Sequence, residues 1–161
     1  MFNQCKIPLA YPFQVLLNHY LHYICIISLL WRVSNKNNFL LRGINILVAE
    51  DNKLNQKIAN FILLKQNANV SIANNGEEAI EMLKEKTFDV VLMDLHMPVM
   101  DGLEAVRYIR QEMKSNVPVI AFTASTFDDE SEKCLAAGMD ACISKPFDAT
   151  VLCSLILKLK R

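Results

Sequence analysis

The strongest constraint on this chain is a strict alternation, from Ile44 onward, of five short apolar runs with amphipathic stretches. The runs occupy residues 46–49, 70–73, 89–93, 119–122 and 140–144. Each is strand-length and bounded by turn-forming residues, whereas the stretches between them space their apolar residues as helices do. Leu54, Ile58, Phe61 and Ile62 recur this way after the first run. Leu103, Val106, Ile109 and Met113 do so after the third, and Leu152, Leu155, Ile156 and Leu159 after the fifth. The joints agree. Asn74-Asn75-Gly76 forms a turn before a helix whose first turn holds Glu77 and Glu78, where the helix dipole favours negative charge. Asp101 is placed to cap the next helix, Pro118 opens the fourth run, and Gly138 stops a helix expected near 128–137. Five strand–helix units in this order predict an α/β fold built on a doubly wound parallel sheet.

The right-handed crossover rule leaves few topologies for such a sheet, and the flavodoxin-like order 2-1-3-4-5 is one of them. Ligands of doubly wound sheets bind beyond the carboxyl ends of the strands. Glu50 and Asp51 follow the first run, Asp94 the third, Thr123 the fourth, and Lys145 the fifth. A carboxylate at the end of a buried strand is costly unless its charge is compensated. Three carboxylates, a hydroxyl and an ammonium at one sheet edge suit a divalent cation and a phosphoryl group. Oxygen-only ligands with room for water match Mg2+ better than zinc. Ordinary exposed loop acids would follow no particular spacing, and would leave the Lys145-Pro146 closure of the same edge unexplained.

These motifs resemble the receiver domain of two-component response regulators. The likeness is carried by Ile46-Leu47-Val48-Ala49-Glu50-Asp51-Asn52 and by Val91-Leu92-Met93-Asp94-Leu95-His96-Met97-Pro98-Val99-Met100-Asp101-Gly102. Ile120-Ala121-Phe122-Thr123-Ala124 and Ser144-Lys145-Pro146-Phe147 complete it, in the same order and at compatible separations. The opening through Asn55-Gln56-Lys57 is similar to receivers attached to hybrid sensor histidine kinases, of which this chain could be a portion. The resemblance implies that Asp94 accepts a phosphoryl group from a phosphohistidine on a histidine kinase or histidine phosphotransfer partner. It implies that Asp51 and Asp94 bind Mg2+ directly, that Glu50 holds a coordinated water, and that the His96 backbone carbonyl is a further ligand. Lys145 would pair with phosphoryl oxygens and the Thr123 hydroxyl would hydrogen-bond to one of them. The expected activity is signalling with slow self-dephosphorylation, not a kinase, and a downstream protein would read the face of the fourth helix, fifth strand and fifth helix. In relatives the first helix, opened here by Asn52, Asn55 and Gln56, docks the histidine-bearing helical hairpin. An aromatic residue often stands three positions before the lysine; Cys142 stands there in this chain, which argues against an aromatic-rotation switch. His96 and Ser125 occupy positions that tune phosphoryl lifetime in the family, although an exposed histidine is more often a solvated loop residue.

Two rivals use similar sheets. A magnesium-dependent phosphohydrolase with an aspartate nucleophile needs a general acid two residues on, where this chain has His96. A flavin carrier needs a hydroxyl-rich phosphate loop, where Glu50-Asp51-Asn52 would repel phosphate. The balance of 17 basic and 17 acidic residues gives no field that would attract nucleic acid. That neutrality hides an asymmetry, because residues 1–43 hold Lys6, Arg32, Lys36 and Arg42 and no acid. The expected division is therefore a hydrophobic and basic extension over 1–43, in part helical, and a cytoplasmic receiver over 44–161. The uncharged stretch within residues 9–31 is marginal for a membrane span, which needs about 20 apolar residues. A membrane tether, a packing helix and a non-native extension all remain open for it.

Overall fold

The computed structural model describes residues 39–123 and 128–160, and the side chains of all these except 128–130. The elements alternate as β1 (Asn45–Ala49), α1 (Lys53–Lys65), β2 (Asn69–Ala73), α2 (Gly76–Glu85) and β3 (Val90–Asp94). They continue as α3 (Gly102–Gln111), β4 (Val119–Thr123), α4 (Asp128–Ala137), β5 (Ala141–Ser144) and α5 (Ala149–Leu159). All pairings are parallel, and the sheet order is β2-β1-β3-β4-β5. The expected doubly wound sheet and strand order are both present.

Strand alternation sends neighbouring residues to opposite faces. Leu47, Val91, Met93 and Ala121 pack with Ile80 of α2, Val106 and Ile109 of α3, and Cys134 of α4. Ile46, Val48, Leu92 and Ile120 pack on the other side with Ala59 and Leu63 of α1 and with Leu152 and Ile156 of α5. Central β3 is buried along its whole length, so its uninterrupted apolar run is what a strand covered on both faces requires. Each such side chain contributes roughly 1.5–3 kcal/mol by leaving water.

Side-chain caps fix where the helices begin. Asn52 accepts hydrogen bonds from the Leu54 and Asn55 amides, Asn75 from Glu78, Asp101 from Glu104, and Asp148 from Thr150 and Val151. At α2 the Glu78 carboxylate in turn reaches back past the cap and accepts from the backbone amide of the preceding residue, Asn74, at 2.8 Å. Gly138 ends α4 with φ at 101°, a left-handed conformation that a side chain would disfavour.

Two features go beyond the sequence reading. Of the apolar positions read along α1, Leu54 is 65% exposed, Ile58 46% and Phe61 59%, while Ile62 packs against the core. The helix seats Gln56, Ala59 and Leu63 against the sheet. The packed unit also begins earlier than Ile44, at Phe39. Leu41 is fully buried in the α1/α5 core, and its amide donates to the Gln66 carbonyl at 3.1 Å. The tether, packing-helix and extension readings fall on residues 1–38, outside the described residues. Among the described residues no helix is long and apolar enough to cross a membrane.

Candidate functional site

The parallel register brings the strand ends to one rim. Asp94 is the last residue of β3 and pairs with Phe122, while Thr123 ends β4 opposite Ser144 of β5. The Lys145 amide donates to the Thr123 carbonyl at 2.7 Å, which fixes the lysine beside the threonine. From β1 the chain turns immediately: the Glu50 amide donates to the Ala73 carbonyl at 3.1 Å, and Asn52 then caps α1.

Carboxylate oxygens of Glu50, Asp51 and Asp94 all lie within 4.8 Å of one another. Asp51 is exposed, Asp94 is buried, and Glu50 is only 1% exposed. The Lys145 Nζ lies 2.6 Å from Glu50 Oε2 and 2.6 Å from Asp94 Oδ2. Burial by itself pulls this ammonium toward the neutral form. Hydrogen bonds to Asp94 and then Glu50, together with their charges, outweigh burial and hold its pKa above the ordinary lysine value. Asp94 Oδ1 accepts from the His96 amide at 3.3 Å, so the aspartate has a defined orientation. Thr123 is buried at the same rim, and His96 is exposed just beyond it. The donor set is carboxylate oxygen only, with one acid open to solvent, which fits a hard divalent ion that keeps water ligands.

The loop after β3 depends on a close backbone approach. Gly102 donates from its amide to the Leu95 carbonyl at 3.0 Å, and an added Cβ would overlap the Asp94 carbonyl oxygen. Cys142 stands half-buried in β5 against the core face that carries Met93 and Ala121. Ser125 lies outside the described residues.

Several residues at the site were not singled out from the sequence as parts of it. Glu50 Oε1 accepts from the Asn52 amide at 3.2 Å and from the Asn55 side-chain amide at 3.0 Å. The buried Gln56 side chain donates to the Glu50 carbonyl and to Asn74 Oδ1, which also accepts from Lys53. Beside Lys145, Phe147 stacks on Phe122 with ring centroids 4.7 Å apart. A cavity of about 290 Å3 lies there, lined by Glu50, Asn55, Ile58, Phe122, Lys145, Pro146 and Phe147. The exposed face of α1 is thus continuous, through Ile58, with the acidic rim.

The chain is similar to known proteins. Residues 46–157 match the family described as the response regulator receiver domain. The chain is 41% identical over 120 residues to hybrid signal transduction histidine kinase M of Dictyostelium discoideum, covering 71% of this chain and 5% of that protein. It is 38% identical over 128 residues to histidine kinase 5 of Arabidopsis thaliana, covering 63% of this chain and 14% of that one. The chain therefore spans only a small part of the curated relatives it matches. Among solved structures it is similar to the co-crystal of the Saccharomyces cerevisiae histidine phosphotransfer signaling protein Ypd1 and the receiver domain of its downstream response regulator Ssk1. That match has a TM-score of 0.70 and 31% identity over 74% of this chain and 90% of the matched one. A second is the receiver domain of a Pseudomonas aeruginosa sensor histidine kinase with a magnesium ion coordinated in its active site cleft. Its TM-score is 0.68, with 36% identity over 73% of this chain and 97% of that one.

Proposed function

The chain belongs to the response regulator receiver domain family, and on that premise we propose that Asp94 is its phosphoryl acceptor in a phosphorelay. The observation that carries this reading is the buried Asp94 carboxylate held between the Lys145 ammonium and the Glu50–Asp51 pair. An Asp94 oxygen attacks phosphorus on a partner's phosphohistidine; the P–N bond breaks, and the imidazole leaves with the electron pair and takes up a proton. The receiver family's implied ion is Mg2+. Asp51, Asp94 and the His96 carbonyl would hold it directly and Glu50 through water, and it would neutralise phosphoryl oxygens. The chain's own groups do the rest. Lys145 is the ammonium at hand for an arriving phosphoryl oxygen, because it already lies against the acceptor. The Thr123 hydroxyl, at the neighbouring strand end, donates to another oxygen and carries the change toward α4. Water later hydrolyses the aspartyl phosphate, which gives slow self-dephosphorylation.

The donor of the phosphoryl group is a histidine kinase or histidine phosphotransfer protein that docks on α1. Support comes from Leu54, Ile58, Phe61 and Leu64, large apolar side chains left exposed on one helix and leading to the acceptor through the Ile58 cavity. Exposed Leu135 on α4 and Val151 on α5 support a second, downstream surface on the α4–β5–α5 face. On this phosphorelay reading we place the receiver in the cytoplasm.

Incubation with acetyl phosphate and Mg2+, followed by intact-mass measurement, tests the acceptor. The wild-type chain gains one phosphoryl group, and omission of Mg2+ or Asp94→Asn abolishes the gain. Equal incorporation in wild type and Asp94→Asn would overturn the assignment.

A further inference from the structure

We propose that Asn55 is a positioning residue for the divalent-ion site, acting through Glu50. The inference rests on the proposed function, because it takes Glu50 to belong to that site. Glu50 is almost fully buried, and each of its carboxylate oxygens is held by a different part of the chain. Oε2 meets Lys145 at 2.6 Å, while Oε1 is shared by the Asn52 amide at 3.2 Å and Asn55 Nδ2 at 3.0 Å. The Lys145 contact cannot fix Glu50 for an ion, since the same ammonium also bonds Asp94 and is the group expected to turn to a phosphoryl oxygen. The Asn52 amide is bound to a strand-to-helix turn. Asn55 is the one side chain on α1 that reaches the carboxylate, and it comes from the first turn of a helix anchored on the sheet by Ala59 and Leu63.

The chemistry of an amide suits that position. A carboxylate there would add a fourth acid to Glu50, Asp51 and Asp94, and an ammonium would compete with the ion for Glu50. A neutral N–H donor orients the acid without changing the charge of the site. Gln56, the next residue, reinforces the same end by donating to the Glu50 main-chain carbonyl and to Asn74 of the β2–α2 turn. Two consecutive amides of α1 therefore grip Glu50, one at its carboxylate and one at its backbone. Outer partners of ion-binding acids typically contribute about 10–100-fold in metal affinity.

The test is a double-mutant cycle on the full chain, read as Mg2+ affinity by titration calorimetry and as thermal unfolding without added ion. Asn55→Ala and Asn55→Leu are each expected to weaken Mg2+ binding about tenfold, while ion-free unfolding temperatures stay close to wild type. In a Glu50→Gln background the same Asn55 substitutions should have no further effect, because the amide then has no carboxylate to orient. Unchanged affinity in both single variants would overturn the proposal. So would an equal loss with and without the Glu50 carboxylate, which would mean that the amide acts elsewhere. Failure of the wild-type chain to take up Mg2+ would instead reject the underlying ion site, a result distinct from either of these.

Discussion

Asp148 ties the lysine end of the site to α5, and its carboxyl group is a sensitive reporter of that joint. Hydrogen bonds from the Val151 amide and then the Thr150 amide hold its pKa below the ordinary aspartate value. A carboxyl with a depressed folded-state value adds stability above its unfolded value and loses it as pH falls through the folded one. Wild-type stability should therefore decline through the acid range just below the ordinary aspartate value. Asp148→Asn still accepts from the helix amides and should show a shallower acid decline. Urea midpoints across an acid pH series check this, and identical slopes would exclude the cap as a contributor. At the same scale the sequence was partly legible. Glu50, Asp51, Asp94, Thr123 and Lys145 follow from the rule that strand ends converge. Asn55 does not, because its partner lies five residues back around a turn, and no spacing rule announces which polar residue of a helix's first turn will face inward. The need for glycine at 102 is likewise visible only in the fold, where the Asp94 carbonyl lies where a side chain would go.

Among the elements, α1 separates what periodicity can and cannot tell. Leu54, Ile58 and Phe61 share a face because they sit three and four residues apart, and that much was readable. Which face meets the sheet was not, since a helix may present its apolar stripe to the core or to a partner. Here small Ala59 and Leu63 fill the interface, and a buried glutamine finds polar partners at the site, so the larger stripe faces solvent. The same helix carries Lys53, Lys57 and Lys65 and no acid, with the Lys65 ammonium 4.4 Å from the centre of the Phe61 ring. This charge pattern favours a partner whose apolar patch has acidic residues around it. Phe61→Ala should weaken docking of a histidine phosphotransfer protein by about 2 kcal/mol, the scale of an aromatic anchor. Acetyl phosphate labelling of Asp94 should be unchanged, because it needs no docking. Transfer from a phosphorylated histidine phosphotransfer protein at varied receiver concentration checks this, and undiminished transfer would place the docking face elsewhere.

Across the whole molecule, the doubly wound sheet and its order were legible because five short runs and their helices leave little other choice. The start of the folded unit was not. Leu40 and Leu41 read as the tail of an apolar, basic extension, and only the fold reveals that Leu41 enters the α1/α5 core and pairs with the Gln66 carbonyl. A chain beginning at Phe39 should fold cooperatively and remain phosphorylatable. One beginning at Ile44 should lose roughly 2–3 kcal/mol, the scale of one buried leucine. Denaturant unfolding of the two truncations measures the difference, and equal stability would remove Leu41 from the working core.

The greasy stripe on α1 has a practical consequence for anyone engineering this protein. Polar replacements at Leu54, Ile58 and Phe61 are the obvious route to better behaviour at high concentration, since these side chains are already in water. If the phosphohistidine donor docks on α1 as proposed, those same replacements would blunt its recognition, and solubility and signal flow would pull against each other at a single helix.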